Sequence, residues 1–370
     1  LCDMQRSCWI DHTNFETKEI IFKNIKRSPL YSGEITGVGP RYCPSIEDKY
    51  MRFKDRDQHR LFLEPEGDGT DEWYINGLST SLPFDVQERV IHSVPSLKNA
   101  KIMRPAYAVE YDYIPPTQIF PTLESKVIHN LFCAGQINGT SGYEEAAGQG
   151  ILAGINAARR SLGQELITLT RYDSYIGVLV DDLVTKGTEE PYRMFTSRSE
   201  YRLLLNHGSA DVRLLDIAEK CGTLDGYRLK QTRHKAERIN YWTVWFENNH
   251  QDGISFADLL RRKFGETNGI DLPNEFVRES QAIRDEVVYR VTYAGYMARE
   301  YKRIKKAGDM DMVKIPDTFD YQQVKSLKTE TVQKLQKFRP VTLGAASRIS
   351  GISPVDISTV WVYIEKSRKA

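Results

Sequence analysis

Short apolar runs separated by turn-forming Gly, Pro and Asn residues fill the first part of the chain. These runs predict β-strands at 60–64, 72–75, 101–109 and 131–134. Apolar positions three and four residues apart predict a helix over 83–93, which Val94-Pro95 ends. Residues 1–170 are therefore expected to have a mixed α/β structure.

Charged amphipathic segments dominate the chain from residue 210 onward. They predict helices over 211–221, 227–248, 254–263, 279–306 and 321–338. Near the C-terminus, 341–350 has the pattern of a short helix, Gly351 ends it, and Ser353-Pro354 begins the next one. We therefore predict an α/β domain at 1–170, an Arg/Tyr-rich transition at 171–210 and a helical domain at 211–370.

The segment FCAGQINGTSGYEEAAGQGILAGINAARR, at 132–160, combines an apolar strand, a Gly-rich turn and a helix of small residues. We call it the cofactor seat. A glycine inside a helix costs up to about 1 kcal/mol relative to alanine, and close approach of a backbone or a flat ligand is the usual compensation. The turn also directs helix N-terminal N–H groups outward. The pattern indicates a site for an anionic or electron-rich cofactor or, alternatively, a tight packing contact.

The composition refines this picture. The chain has 40% hydrophobic and 27% charged residues, which is typical of a soluble globular protein, and its 370 residues favour two domains. No window approaches the roughly 20 apolar residues that span a membrane. Its five scattered cysteines indicate a reducing compartment rather than a disulfide framework. Because residue 1 is not Met and no signal pattern follows it, we expect a fragment of a longer chain.

Charge is distributed unevenly along the chain. Residues 1–170 carry 18 Lys and Arg against 22 Asp and Glu, whereas residues 171–370 carry 33 against 28. A basic C-terminal half suits a polyanion such as RNA, although solvated helix faces give the same composition.

The loop 37–49 concentrates reactive side chains between glycines and prolines. The guanidinium of Arg41 would favour the thiolate of Cys43, which is the nucleophilic form. Arg41 and Lys49 equally suit a phosphate, and a buried structural cysteine is the alternative.

Acidic residues offer weaker candidates. Glu144 and Glu145 open the small-residue helix, where the helix dipole alone accounts for them. Asp181 and Asp182 are adjacent and therefore expected to point apart, so we assign no metal site.

The segment 192–202 interleaves arginines with aromatic residues. Arginine binds phosphates and aromatic rings stack on bases, so Arg193, Arg198 and Arg202 are candidate RNA-binding residues. An inter-domain contact, in which these arginines pair with Glu189, Glu190 and Glu200, is the alternative.

Several long motifs in order, PRYCPSIEDK, LEPEG, NGLSTSLPFDVQ, the cofactor seat and GTEEPYRMFTSRSEYRL, resemble the MnmG family, also called GidA. This family comprises tRNA uridine 5-carboxymethylaminomethyl modification enzymes, and the resemblance covers nearly the whole chain. It implies the remainder of an FAD-dependent, glutathione-reductase-like Rossmann α/β domain followed by an all-α C-terminal domain.

The resemblance also implies cofactors and partners. These are FAD, NADH as reductant, methylene-tetrahydrofolate as one-carbon donor, an MnmE-type GTPase, tRNA and a second copy of the chain, in the cytoplasm. The C-terminal helices correspond to the region for GTPase and tRNA contact. The sequence has no GxGxxG, so the principal FAD-binding motif of the family is not found in it.

Site residues follow by motif. Cys43 corresponds to a cysteine of the modification chemistry, and flavin contacts are implied at Gly135, Gln136, Gly142 and Tyr143. NAD contacts are implied along the loop, at Gly39, Pro40, Arg41, Tyr42, Cys43, Pro44, Ser45, Ile46, Glu47, Asp48, Lys49, Tyr50, Met51, Arg52 and Phe53.

Two roles for Cys43 remain open at this level. Its thiolate would add to C6 of uracil and make C5 nucleophilic, or it would be structural while the flavin carries the one-carbon unit. The competing functions are a flavin-dependent oxidoreductase acting on a small molecule and a non-catalytic module for partner docking.

Overall fold

The computed structural model describes residues 6–34, 44–108, 112–188, 190–311, 313–324 and 326–369. The chain divides into two compact units, Leu1–Tyr113 with Glu189–Pro191 and Ile114–Thr188 with Tyr192–Ala370. The domain boundaries predicted at 170 and 210 both fall inside the second unit. The division into three domains stays a prediction. Mixed α/β structure followed by a helical C-terminal region confirms the predicted fold class.

The first unit is built on a three-stranded antiparallel sheet in the order β1-β2-β3. The strands are β1 (Trp9–His12), β2 (Arg60–Pro65) and β3 (Trp73–Asn76). One face of β2 buries Leu61 and Leu63 against the helices. These helices are α1 (Phe15–Asn24), α2 (Pro29–Ser32), α3 (Ile46–Arg52) and α4 (Phe84–Ser93). The strands predicted at 60–64 and 72–75 and the helix at 83–93 are confirmed to within one residue at each end, whereas β1 was not predicted.

Two predicted strands are wrong. Residues 101–108 form no strand, and the backbone of one of them, Ala106, bonds to the buried side chain of Gln87 rather than to a strand. The Gln87 amide donates to the Ala106 oxygen (2.9 Å) and accepts from the Ala106 nitrogen (2.8 Å). At 131–134 the backbone pairs only through the isolated bridge between Glu124 and Phe132, so this segment is extended but irregular.

The second unit is mainly helical. Its α-helices are α5 (Tyr143–Ser161), α6 (Tyr175–Lys186), α7 (Ala210–Arg213), α8 (Leu215–Cys221), α9 (Gly226–Asn248), α10 (Phe256–Arg262), α11 (Asn274–Val277), α12 (Gln281–Asp311), α13 (Thr329–Phe338), α14 (Leu343–Ser347) and α15 (Pro354–Lys369). A two-stranded hairpin, β4 (His250–Gln251) and β5 (Ile254–Ser255), precedes α10. The predicted helices are confirmed, although 211–221 is divided into α7 and α8 and 321–338 is helical only in its first turn and in α13.

Helix α6 lies in the segment predicted as a transition. The Ser174 side chain caps its N-terminus by accepting from the Gly177 nitrogen (3.0 Å), and Gly187 ends it with φ +70°. Leu183 of this helix is fully buried, and Val180 and Val184 pack in one cluster with Leu152 of α5. Thus α6 shares one core with α5, the helix of the cofactor seat.

The C-terminal helices have two further cores. Trp242 and Phe246 of α9 pack with Phe276, whose ring centroid lies 5.1 Å from that of Trp242. Leu335 of α13 and Ile364 of α15 are fully buried in the other core. In the parts of the chain that the structure describes, every helix is too short or too polar to cross a membrane.

Lys126 connects the loop before the cofactor seat to the end of α13. Its amine donates to the backbone oxygens of Thr117 (2.9 Å) and Phe338 (2.6 Å). Burial, with the charge of Arg339, lowers the pKa of Lys126 to about 8 from the ordinary 10.5. Between these values the unfolded chain binds more protons than the folded chain, so stability rises with pH.

We expect the free energy of unfolding to rise between about pH 8 and pH 10 by about 2 kcal/mol more in the wild type than in Lys126→Met. Urea denaturation at a series of pH values measures the difference. Lys98→Met, at an exposed lysine, is the control. Parallel pH profiles for the wild type and Lys126→Met would contradict the lowered pKa.

Candidate cofactor site and its charged surroundings

The N-terminus of α5 has no side-chain cap, because the N-cap residue is Gly142. A β-carbon at this position would overlap the carboxylate of Glu145 in the first turn. A serine, threonine or aspartate side chain, which usually satisfies these N–H groups, would fit only if the side chain of Glu145 moved. An anionic or electron-rich ligand suits such an end, in agreement with the prediction from the sequence.

Gln149 holds the Gly-rich turn against α5. Its fully buried side-chain oxygen accepts from the Gly135 nitrogen (3.0 Å) and the Asn138 amide (2.9 Å), while its nitrogen donates to the Thr140 hydroxyl (2.9 Å). Gly135 has φ +81°, and a β-carbon there would lie 3.3 Å from that of Ala146. The turn and the helix N-terminus thus form one rigid surface.

The four residues implied to contact the flavin have two kinds of environment. Gly135 and Gly142 are buried and shape the backbone, whereas Gln136 is exposed and Tyr143 is 90% exposed beside the uncapped helix end. The buried Oδ1 of Asn138 and Oε2 of Glu145 have no hydrogen-bond partner. An uncapped helix end, an exposed amide and unsatisfied acceptors fit a polar heteroaromatic ring such as a flavin.

The helical glycines of the cofactor seat have different surroundings. A β-carbon on Gly148 would lie 3.1 Å from Ile176, so close packing on α6 explains this glycine. Gly150 and Gly154 have open space around them and, with the exposed Ala147 and Ala157, leave a smooth exposed face on α5. The packing explanation therefore holds for one helical glycine and leaves the other two available to a ligand or another chain.

Gly150→Ala and Gly154→Ala are each expected to raise the free energy of unfolding by about 1 kcal/mol, because alanine is the better helix former and meets nothing here. Gly148→Ala is the matched control and should give no such gain, since its new methyl group presses on Ile176. Urea denaturation of the three variants tests this. Destabilisation by alanine at 150 and 154 would mean that this face is already covered in solution.

The loop implied to contact NAD is described from Pro44 onward, and Gly39, Pro40, Arg41, Tyr42 and Cys43 lie outside the described residues. Ser45 caps α3 by accepting from the Asp48 nitrogen (3.1 Å). The side chains of Ile46, Glu47 and Tyr50 are fully buried in the fold, and Lys49 donates to the Gly77 oxygen (2.7 Å). These four side chains fix α3 to the rest of the first unit. Met51 is partly buried, and Arg52 and Phe53 are exposed.

The other side of this loop faces a large cavity within the first unit. The cavity has a volume of about 1370 Å³, and its lining includes Pro44, Ser45, Asp48 and Arg52. Tyr31 also lines it and donates to Asp48 (2.7 Å); burial and this carboxylate raise the pKa of Tyr31. The volume exceeds that of an ordinary drug-sized pocket and is adequate for a dinucleotide.

Arg171 is the centre of a buried ionic network, which we call the Arg171 hub. Its guanidinium donates to both oxygens of Glu200 (2.7 Å each), to Asp182 (2.8 Å) and to Asp181 (3.1 Å). Burial would raise the pKa of Asp182, but a hydrogen bond from Lys186 and the charge of Arg171 lower it overall. The expectation that the adjacent aspartates point apart is wrong, because both contact one guanidinium nitrogen.

The three candidate RNA-binding arginines have separate environments. Arg193 donates to Glu145 at the start of α5 (3.1 Å). Arg198 stacks on Tyr192, with its guanidinium carbon 4.3 Å from the ring centroid, and its backbone oxygen accepts from Arg171. Arg202 is exposed on a cleft of about 650 Å³. Glu200 pairs with Arg171, and the alternative pairing of these arginines with Glu189, Glu190 and Glu200 stays a prediction.

Two residues that organise these surroundings have no local signal in the sequence. Gln149 and Arg171 act through contacts between segments, and no local pattern marks such contacts. Helix α6 did have a signal, since Ser174 and Gly187 bracket an apolar run as helix start and stop residues do.

Comparison with known proteins adds sequence relationships to this geometry. The family model described as glucose inhibited division protein A matches residues 2–165. The model described as the tRNA modifying enzyme MnmG/GidA C-terminal helical bundle matches residues 303–370.

Two curated relatives, each described as tRNA uridine 5-carboxymethylaminomethyl modification enzyme MnmG, come from Bacillus velezensis and Bacillus subtilis. Each is 49% identical to this chain over 99% of its length. The chain spans 62% of the length of either relative.

Solved structures of Aquifex aeolicus GidA are also similar. The form II crystal structure gives a TM-score of 0.81 at 44% identity, covering 98% of this chain and 59% of the other. The form I structure gives 0.83 at 46% identity, covering 97% and 60%.

Proposed function

Because the chain belongs to the MnmG/GidA family, we propose that it acts in modification of the wobble uridine of tRNA, adding a carboxymethylaminomethyl or aminomethyl group at C5. The observation that carries this proposal is 49% identity to curated enzymes of that name along 99% of the chain. Since the chain spans 62% of those relatives, the activity is proposed for the whole protein.

The geometry of the cofactor seat supports a role for FAD. Gly135 and Gly142 would bring the backbone close to the flavin, and Gln136 and Tyr143 would contact it beside the uncapped end of α5. When bound, FAD would supply the electron transfer of the reaction. The small-residue face would exclude bulky side chains from this surface.

NADH is proposed for the cavity of the first unit. Arg52 would pair with a phosphate. Ser45 would donate a hydrogen bond to a ribose hydroxyl, and Asp48 would accept one. Aromatic lining residues such as Trp73 and Tyr31 suit the flat rings of a dinucleotide.

The proposed chemistry at C5 begins with a thiolate. The Cys43 sulfur would add to C6 of uracil, so that C5 becomes an enolate carbon and attacks the methylene carbon of methylene-tetrahydrofolate, breaking the bond of that carbon to one folate nitrogen. The amine of glycine or ammonium would displace the second folate nitrogen from the same carbon, which releases tetrahydrofolate. Loss of the C5 proton and expulsion of the thiolate would then restore the ring. Arg41 would stabilise the negative charge, whereas Lys49 already donates to the Gly77 oxygen.

An MnmE-type GTPase, tRNA and a second copy of the chain are the proposed partners, in the cytoplasm. The basic helical region after residue 211 is the proposed surface for the GTPase and tRNA. The excess of 33 basic over 28 acidic residues in 171–370 supports an anionic partner.

Mass analysis of wobble uridines in tRNA from cells that lack the gene tests the function. We expect the carboxymethylaminomethyl and aminomethyl groups to disappear and to return when the gene is restored. Unchanged tRNA, with the loss of a small-molecule oxidation instead, would replace the proposal with the oxidoreductase alternative.

A further inference from the structure

Helix α12 presents a row of tyrosines on the face opposite its core. Ile283, Val287 and Val291 are buried on one side of the helix. Tyr289, Tyr293 and Tyr296 follow at the spacing of successive turns on the other side. We call this row the tyrosine ladder.

The rings of the ladder form a continuous surface. Ring centroids of Tyr289 and Tyr293 lie 4.9 Å apart, and those of Tyr293 and Tyr296 lie 6.4 Å apart. The guanidinium of Arg299 extends the row, with its carbon 4.6 Å from the Tyr296 centroid. Tyr293 is 38% exposed and Tyr296 is 55% exposed, so ring surface is accessible on two successive turns.

Arginines lie near both ends of the ladder. Tyr289 donates to the backbone oxygen of Leu203 (2.7 Å), and the residue before Leu203 is the exposed Arg202. Beyond the last rung, Arg299 stacks on Tyr296, and Arg303, one turn further on, pairs with Glu300 (3.0 Å). A chain that runs along the ladder would therefore meet arginine before and after the aromatic rings.

We propose that the tyrosine ladder stacks unpaired bases of RNA while the flanking cations hold its phosphates. Aromatic rings accept any base by stacking, and arginine adds cation–π attraction and phosphate contacts. Positions 289, 293, 296, 300 and 303 carry three Tyr, one Glu and one Arg, so the face offers rings for stacking and arginine for phosphates rather than an aliphatic stripe. The inference rests on the proposed function, because it specifies how the same RNA would be held.

The test compares two double variants of the whole chain. Tyr293→Leu with Tyr296→Leu removes the rings and keeps a good helix former, whereas Tyr293→Phe with Tyr296→Phe keeps the rings. Tyr289 stays unchanged because it bonds to Leu203. Tyr227→Leu, at a 74% exposed tyrosine of α9, is the matched control.

Fluorescence anisotropy gives the Kd for a labelled RNA hairpin with a loop of unpaired uridines and for a fully paired RNA duplex. The leucine pair should weaken hairpin binding about tenfold or more, because one or more base stacks are lost. The phenylalanine pair and Tyr227→Leu should stay within about twofold of the wild type, and duplex binding should be unchanged in all variants. A 2-aminopurine in the loop should be quenched on binding only where the rings remain.

If the wild type and the leucine pair bound the hairpin equally well, the proposal that the tyrosine ladder stacks bases would be wrong. The proposed function would not be affected. An equal loss in both double variants would also contradict base stacking by the ladder, because hydroxyl groups rather than rings would then be responsible. If the leucine pair changed the sedimentation coefficient but not the RNA affinity, the surface would instead be a contact with a second copy of the chain. Failure of the wild type to bind any RNA at low salt would count against the proposed function itself.

Discussion

Replacing Arg171 with methionine is expected to lower the free energy of unfolding by about 3–5 kcal/mol. The side chain is 6% exposed and donates to three carboxylates, of which that of Asp182 is almost completely buried. Methionine fills much of the same volume but leaves buried charge without its partner. Lys186 and Tyr192 still contact Asp182, which keeps the loss within this range.

The matched control is Arg233→Met, which removes an exposed ion pair with Glu219 by the same substitution. Exposed pairs contribute at most about 1 kcal/mol, so this variant should unfold close to the wild type. Urea denaturation of both variants at neutral pH measures the difference. Similar midpoints for the two would show that the Arg171 hub does not stabilise the fold.

Cys43→Ser is expected to reduce the rate of wobble-uridine modification on the order of a thousandfold, because the serine hydroxyl is a far weaker nucleophile than a thiolate. The rate is measured with the whole purified protein, the proposed GTPase partner, tRNA and the proposed cofactors, by mass analysis of the nucleosides. Binding of tRNA should not change, since the substitution is nearly isosteric.

Cys8→Ser provides the control for general effects of removing a thiol, because Cys8 is exposed and free. Its modification rate should equal that of the wild type. An undiminished rate in Cys43→Ser would exclude the thiolate mechanism and favour a structural role for this residue.

Much of the helical architecture could be predicted because its signal is local. The periodicity of 227–248 and of 279–306 identified α9 and α12, and a short apolar run between turn-forming residues identified β2. A strand also needs a partner, and no sequence pattern shows whether one is available. Residues 101–108 have strand-like composition, yet the backbone groups of Ala106 bond to the side chain of Gln87 rather than to a strand.

In the candidate site, too, one part could be predicted from the sequence and another could not. The uncapped glycine-rich N-terminus of α5 could be predicted from the residues themselves, because Gly142 and its neighbours are consecutive. The Arg171 hub could not, since Asp182 and Glu200 are brought to Arg171 only by the packing of α6.

The carboxylate of Asp181 is shared. Arg171 donates to it from the loop before α6, and Arg348, just after α14, binds both of its oxygens (2.8 and 2.7 Å). Loosening of the C-terminal helices would therefore remove a counter-charge from the Arg171 hub. Amide hydrogens of α6 and α14 should accordingly exchange with solvent as one cooperative unit rather than as independent segments.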